Sequence, residues 1–176
     1  MNVQSITLGG GCFWCLEAVF ELVDGVTAVE NGYCNGHLVD PSYEAVCSGD
    51  SGHVEVVKVS FEADRISLRE VLEIFFHVHD PTSLNRQGND VGTQYRSGIY
   101  VDGAAQEAVA REVLTQANAA HGARVVTEVQ ALANYSRAEA YHQHYFANHP
   151  GQGYCAHVVA PKVEKFRRTF KARLRA

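Results

Sequence analysis

The sequence predicts a single domain that mixes strands and helices, on three observations. A length of 176 residues with 46% hydrophobic and 20% charged residues fits one ordinary globular domain with a sizeable core. Segments with the two-residue period of a strand alternate with segments of helical period. No internal repeat, low-complexity tract or Pro/Ser-rich linker divides the chain, so residues 1–176 read as one unit.

A short strand is expected at about Ser5 to Leu8. It runs into Gly9-Gly10-Gly11, and a helical pattern follows from about Cys12 to Val23, giving strand, glycine turn and helix. Further strands are predicted at Val26 to Tyr33, His53 to Glu62, Ser97 to Val101 and Arg124 to Gln130 from their alternation and β-branched content. Ser67 is suited to N-cap a helix that reaches His79 and buries Leu68, Val71, Leu72, Phe75 and Phe76. Ala104 to Ala120 and Ser136 to Asn148 also read as helices. At the end of the chain, residues 162–176 place Val163, Phe166, Phe170 and Leu174 on one stripe among Lys and Arg, which predicts a docked terminal helix with a solvated basic face.

Two stretches lack either period. The polar run from His77 to Gly98 is long for a connection in a compact domain, and such loops usually carry function. Residues 149–161, rich in Gly and Pro and carrying Cys155, are expected to form a mobile segment.

Composition excludes several classes. A net charge of −5 disfavours nucleic-acid binding, which needs a basic field. No apolar run is long enough to span a bilayer, and Met1 to Thr7 lack signal-peptide character, so a cytoplasmic protein, away from membranes, is expected. A monomer is the working expectation for its assembly. Five cysteines, at 12, 15, 34, 47 and 155, cannot all pair within the chain, and a domain of this size needs no disulfide staples.

Cys12 is the most informative residue. A thiol attacks as its thiolate, and a helix start lowers a cysteine pKa through free N–H groups and the positive end of the dipole. Three glycines immediately before it permit a turn closed to other residues and leave open space above the sulfur. Most cysteines are inert structural residues, but this placement favours a nucleophile. Cys12 and Cys15 form Cys-Phe-Trp-Cys, which admits a second reading as a dithiol-disulfide oxidoreductase. At 100° per residue Cys15 falls with Ala18, Val19 and Leu22 on the apolar arc, opposite Glu17 and Glu21, so it reads as a core residue. Trp14 projects near the charged side, where a large indole suggests the wall of a site; with Phe13 it would form an apolar pocket fit for a methyl group.

Strand alternation places Glu55 on the face of Val57, Val59 and Phe61. A carboxyl among apolar neighbours stays protonated, the state required of a general acid. The alternative is a buried Glu paired with a cation. His77/His79 and His142/His144 invite a metal reading, yet no spacing completes a tetrahedral set, so no metal is expected. Tyr43 and Tyr95 by themselves read as packing residues with a satisfied hydroxyl.

Taken together, Gly10-Gly11-Cys12-Phe13-Trp14, Pro41-x-Tyr43, Gly52-His53-Val54-Glu55-Val56-Val57, His79-Asp80-Pro81-Thr82, the run from Asn85 to Ser97, Ala138-Glu139-x-Tyr141-His142-Gln143 and Gly153-Tyr154-Cys155 resemble A-type peptide methionine sulfoxide reductase. The likeness covers about Thr7 to His157. It implies an α+β two-layer sandwich with a ferredoxin-like core, its central mixed sheet flanked by helices and long coil segments. It also implies reduction of the S epimer of methionine sulfoxide, free or in proteins, with thioredoxin as external reductant and no bound cofactor. Residue by residue, Cys12 is similar to the nucleophile, Phe13 and Trp14 to the methyl pocket, and Glu55 to the acid that protonates the sulfoxide oxygen. Tyr43 and Tyr95 are similar to hydroxyls that bind that oxygen, Asp90 to a supporting carboxylate and Cys155 to the resolving cysteine.

The chemistry is coherent by itself. A sulfoxide sulfur is a poor electrophile until its oxygen is protonated, so thiolate and acid must meet at opposite ends of one S=O bond. Oxygen transfer would leave Cys12 as a sulfenic acid that condenses with a second thiol before over-oxidation. The sequence departs from the resemblance at Cys15, where many members have Gly, and around Cys34. Cys15 and Cys155 are therefore both open as resolvers, and Cys47 has no assigned role. A metal-dependent binding module, with zinc held partly by Cys12, is the rival of another class.

Overall fold

The computed structural model describes residues 2–175. Strand β1, Val3–Gly9, leads through the glycine turn to helix α1, Phe13–Phe20, and back along β2, Val26–Cys34. A short helix α2, Tyr43–Cys47, precedes β3, Val54–Glu62, and helix α3, Leu68–Val78. The long polar run then folds as a two-residue hairpin, β4 (Arg86–Gln87) and β5 (Asp90–Val91), and a 3₁₀ turn at Thr93–Tyr95. Strand β6, Gly98–Val101, helix α4, Ala104–Ala120, and strands β7, Glu128–Ala131, and β8, Ser136–Arg137, follow. Helices α5, Tyr145–Asn148, and α6, Ala160–Thr169, complete the chain, with a 3₁₀ turn at Lys171–Arg173.

The main sheet has the order β7-β6-β1-β3-β2-β8. All neighbours are antiparallel except the parallel pair β6 and β7, so the sheet is mixed. Its four central strands, taken as first (β1), second (β2), third (β3) and fourth (β6), lie in the order fourth-first-third-second. With α1 and α3 as the two crossovers this is the β-α-β-β-α-β arrangement of a ferredoxin-like core. One face of the sheet, through Ile6, Leu8, Val57, Val59 and Phe61, packs against α1 and α3. The other face is shielded at Cys34, Val54, Val56 and Tyr100 by Leu132 and Tyr135.

Local chemistry explains most boundaries. Ser67 accepts the Glu70 N–H at 3.1 Å while Glu70 accepts the Ser67 N–H at 3.0 Å, a reciprocal cap that starts α3 where the sequence placed it. Strand β7 begins four residues later than expected, because the Val125 N–H is taken by Asn118 Oδ1 and the Val126 N–H by the Pro81 carbonyl.

Three expectations are corrected. Ser136 to Asn148 is not one helix: Ser136–Arg137 pairs with β2, and His144 takes φ 55°, which breaks helical continuity. Here the Gln143 side chain occupies the place of a strand neighbour, accepting the Asn31 N–H and donating to the Asn31 carbonyl, both at 2.9 Å. Sheet-edge bonding therefore overrides the helical spacing. Residues 149–161 are not irregular throughout, since Cys155–Val159 forms a π-helical turn that runs directly into α6. Cys155 is buried there with Cys15, Ala18, Val159 and Val163. Finally, the terminal helix spans Ala160–Thr169 rather than 162–176: Phe170 turns to φ −120°, Val23 bridges to Leu174, and Ala176 lies outside the described residues.

The glycine turn gives a stability test. Gly11 has φ +92°, and a Cβ there would sit 2.8 Å from the Gln87 side chain, so it needs both freedoms of glycine. Gly11→Ala is expected to cost about 1–3 kcal/mol of unfolding free energy, read as a lower midpoint in urea.

Candidate active site

The loop before α1 brings Cys12 to the N-cap position of that helix, and β3 carries Glu55 beneath it. The glycines before Cys12 are closely packed. Gly10 packs against the His79 ring and Gly11 against Gln87. Gln87 in turn accepts the Asp80 N–H at 3.0 Å and donates to the Asp80 carbonyl at 2.5 Å, which ties the turn to the polar loop. His79 donates from Nδ1 to the Phe75 carbonyl at 2.6 Å and faces Ser97 Oγ at 2.7 Å through Nε2. Burial pushes its pKa down to about 4, so it is a neutral structural strut.

A pocket of about 160 Å³ opens beside Cys12, lined by Phe13, Trp14, Tyr43, Glu55, Asp90, Tyr95 and Tyr154. A larger cleft of about 400 Å³ at Thr27, Glu21, His144 and Arg175 contains no cysteine. The smaller pocket therefore gathers every expected site residue except Cys155, which lies behind it in the cluster around Cys15.

Glu55 is 2% exposed and accepts the Phe13 N–H at 3.2 Å. Burial, aided by the charge of Asp90, pushes its pKa up to about 8, against the pull of that N–H. It is thus a protonated carboxyl at neutral pH. Burial likewise raises the hydroxyls of Tyr43, Tyr95 and Tyr154, leaving them as O–H donors. Tyr43 is seated by Glu139, whose carboxylate accepts the Tyr43 N–H and the Tyr33 hydroxyl, each at 3.0 Å. Asp90 accepts the Tyr154 hydroxyl at 2.5 Å. Trp14 stacks on Tyr145 at 3.8 Å between centroids, and the His142 ring backs Phe13, Trp14 and Tyr43.

The thiols differ from expectation. The Cys12 pKa is raised, not lowered: burial dominates, hydrogen bonding with the Cys15 thiol and then the nearby acidic groups Glu55 and Cys15 add to it, and only the Trp14 N–H pulls it down. Cys15 is instead brought down to about 7, first by the Cys12 thiol and then, against burial, by the Lys162 ammonium. Cys15 is buried as foreseen, but so is Glu17 at 1% exposure, which accepts the His144 N–H at 2.7 Å. Helix α1 is therefore covered on the side that its charges seemed to leave to solvent. Cys34 lies buried beneath the opposite sheet face, and Cys47 is exposed beside the Tyr43 hydroxyl. Among the described residues, the grouping able to offer three metal ligands is Glu17, Glu21 and His144. It contains no cysteine.

Sequence reasoning gave no role to Tyr154, His142 or Lys162. Tyr154 sits within the Gly153-Tyr154-Cys155 motif and His142 within Ala138-Glu139-x-Tyr141-His142-Gln143, which were the available signals. The place of Lys162 depends on how α6 closes over α1, which no local pattern encodes.

Comparison with known proteins decides the family: the model of peptide methionine sulfoxide reductase matches residues 4–174. The chain belongs to the peptide methionine sulfoxide reductases. A relative of that name from Polynucleobacter asymbioticus, MsrA, is 50% identical over 173 residues, covering 97% of this chain and 91% of its own. The reduced form of Mxr1 from Saccharomyces cerevisiae superposes with a TM-score of 0.84 at 36% identity, over 88% of this chain and 90% of that one. Mxr1 in complex with Trx2 is similar at TM-score 0.60 and 25% identity, over 82% and 85%. This peptide methionine sulfoxide reductase is accordingly an oxidoreductase of α+β class. Among the described residues no helix is long and apolar enough to cross a membrane.

Proposed function

We propose that this reductase takes oxygen from the S epimer of methionine sulfoxide, free or within proteins, onto Cys12. The observation that carries this reading is that a thiol at a helix start and a protonated carboxyl share one small pocket with an aromatic wall. The substrate methyl rests against Phe13 and Trp14. Its oxygen receives hydrogen bonds from Tyr43 and Tyr95 and the proton of Glu55, while Asp90 supports the site through Tyr154. Protonation makes the sulfur electrophilic, and the Cys12 sulfur attacks it as its thiol proton is lost to the Glu55 carboxylate left behind. Methionine leaves and Cys12 becomes a sulfenic acid, whose condensation with a thiol, in the simplest scheme Cys155, expels water and forms a disulfide. A thioredoxin then restores the dithiol by exchange, a partner suggested by the similarity to Mxr1 in its complex with Trx2. Thiols supply both electrons, so the chemistry calls for no bound cofactor. Five free cysteines suit a reducing compartment such as the cytoplasm.

Mixing reduced protein with each epimer of N-acetyl-methionine sulfoxide tests the reading. About one equivalent of the S epimer per protein should become N-acetyl-methionine with loss of two thiols, and the R epimer should be untouched. Equal consumption of both epimers would refute the stereochemical assignment.

A further inference from the structure

The larger cleft and His144 take no part in the oxygen transfer, yet together they frame a second cluster of polar groups. Glu17 and Glu21 lie four residues apart at the end of α1, so their side chains share one face. His144, at the start of α5, meets both: its Nδ1 stands 3.0 Å from Glu21 Oε2 and 4.0 Å from Glu17 Oε2. One donor atom from each of the three residues falls within 4.8 Å of the others. The histidine spacing along the chain could not reveal this set, because its other two members come from α1, 123 and 127 positions away.

The charges at this corner do not balance. Glu17 is 1% exposed and accepts the His144 N–H at 2.7 Å. Among the described residues no lysine or arginine pairs with Glu17 or Glu21. Arg175, on the cleft wall, gives its terminal nitrogen to the Val23 and Val26 carbonyls at 3.1 and 2.7 Å. A buried carboxylate is costly unless a cation faces it, and even a protonated His144 would leave one of the two negative charges over. A second observation comes from Asn31, which is wholly buried and binds the same stretch of chain. Its amide nitrogen donates to the His142 carbonyl at 2.7 Å, while its amide oxygen is buried with no partner. Unused oxygen lone pairs thus gather where residues 142–144 cross α1 and β2.

The structure assigns Glu17, Glu21 and His144 as the ligands of one divalent transition cation, whose remaining positions are filled by water from the cleft. Ligand atoms at about 2.0–2.2 Å from a shared ion lie at most about 4.4 Å from one another, so the separations of 3.0 and 4.0 Å need only small side-chain rotations. Two carboxylates, one imidazole and water suit manganese, whereas the thiols of the other site suit softer ions. Glu17 forms the inner wall, and Glu21 and His144 border the cleft of about 400 Å³ that gives the ion its way in. The bound ion ties the segment at His144 to α1. Tyr145, the next residue, stacks on Trp14 at 3.8 Å, so the ion braces the aromatic wall of the pocket from behind and exchanges no electrons.

The test titrates Mn²⁺ into reduced wild-type protein and follows the free-ion signal by electron paramagnetic resonance. Three variants are compared, with circular dichroism establishing that each is folded. Glu21→Gln removes a carboxylate, and His144→Asn removes the imidazole but tolerates the left-handed backbone at φ 55°. Cys12→Ser removes the pocket thiol. We expect one Mn²⁺ per wild-type chain, the same affinity in Cys12→Ser, and affinity at least ~10-fold weaker in each of the other two, the loss that even an outer-shell partner commonly brings. Saturating Mn²⁺ should raise the thermal midpoint of wild type and leave those of Glu21→Gln and His144→Asn in place. A free-ion signal undiminished by wild-type protein would overturn the proposal and leave the buried carboxylate to a proton. Unchanged affinity in either Glu21→Gln or His144→Asn, or binding lost with Cys12, would overturn it as well.

Discussion

Cys12→Ser is expected to remove sulfoxide reduction almost completely, by on the order of 10⁴-fold or more in single-turnover rate. The loss follows from chemistry rather than packing. Oxygen transfer needs an atom that can both attack sulfur and accept oxidation by two electrons, and a serine hydroxyl can do neither. The substitution is nearly isosteric at a half-buried N-cap, where serine is a favoured residue, so the fold should hold. Quench-flow measurement of N-acetyl-methionine formation from N-acetyl-methionine-S-sulfoxide checks this. Retention of more than a small fraction of the rate would move the nucleophile elsewhere, and Cys15 is the thiol beside it.

Glu55→Gln is the second large effect, about 10²–10⁴-fold in kcat with a much smaller change in KM. Glutamine still accepts the Phe13 N–H and fills the same volume, but it has no acidic proton for the departing oxygen. The pH dependence carries a sign that distinguishes this role from a structural one. Glu55 is protonated below a pKa of about 8, so wild-type kcat/KM should lose its Glu55-dependent part as pH rises through that value, and the variant should lack this limb. The same shift acts on stability. Between the ordinary 4.5 and about 8, the folded chain holds a proton that the unfolded chain has released, so unfolding free energy falls as pH rises through that window. The contribution is fully present below the unfolded value and is gone above the folded one. Urea unfolding at pH 5 and pH 8 should therefore show a larger decline for wild type than for Glu55→Gln. Equal declines would mean that the carboxyl ionises inside the fold.

Both variants follow from features legible along the chain. Alternation through β3 placed Glu55 on the face of Val57, Val59 and Phe61, and the core contains those three residues above α1. The glycine turn placed Cys12 at a helix start, as found. The polar run from 77 to 98, which had no period, supplies Asp90 and Tyr95 to the pocket and Gln87 to the turn. By contrast, residues 136–148 kept helical spacing and still formed an edge strand and short turns, because Gln143 answers Asn31 across 112 positions of sequence. A local pattern reports which side chains will be buried, not which backbone groups will bond to them.

The cysteines divide in the same way. The order of residues determined that a strand, a glycine turn and a helix would present Cys12, that Glu55 would point inward, and that the motifs fit a sulfoxide reductase, since each depends on neighbours a few positions apart. Only the tertiary structure decided the ionisation of the thiols. Burial raises Cys12 against the single N–H that favours its thiolate, and Lys162, 147 residues away in the chain, lowers Cys15. Charge and desolvation act through space over a few ångströms, so their balance at a sulfur is set when α6 closes over α1 and brings those groups together.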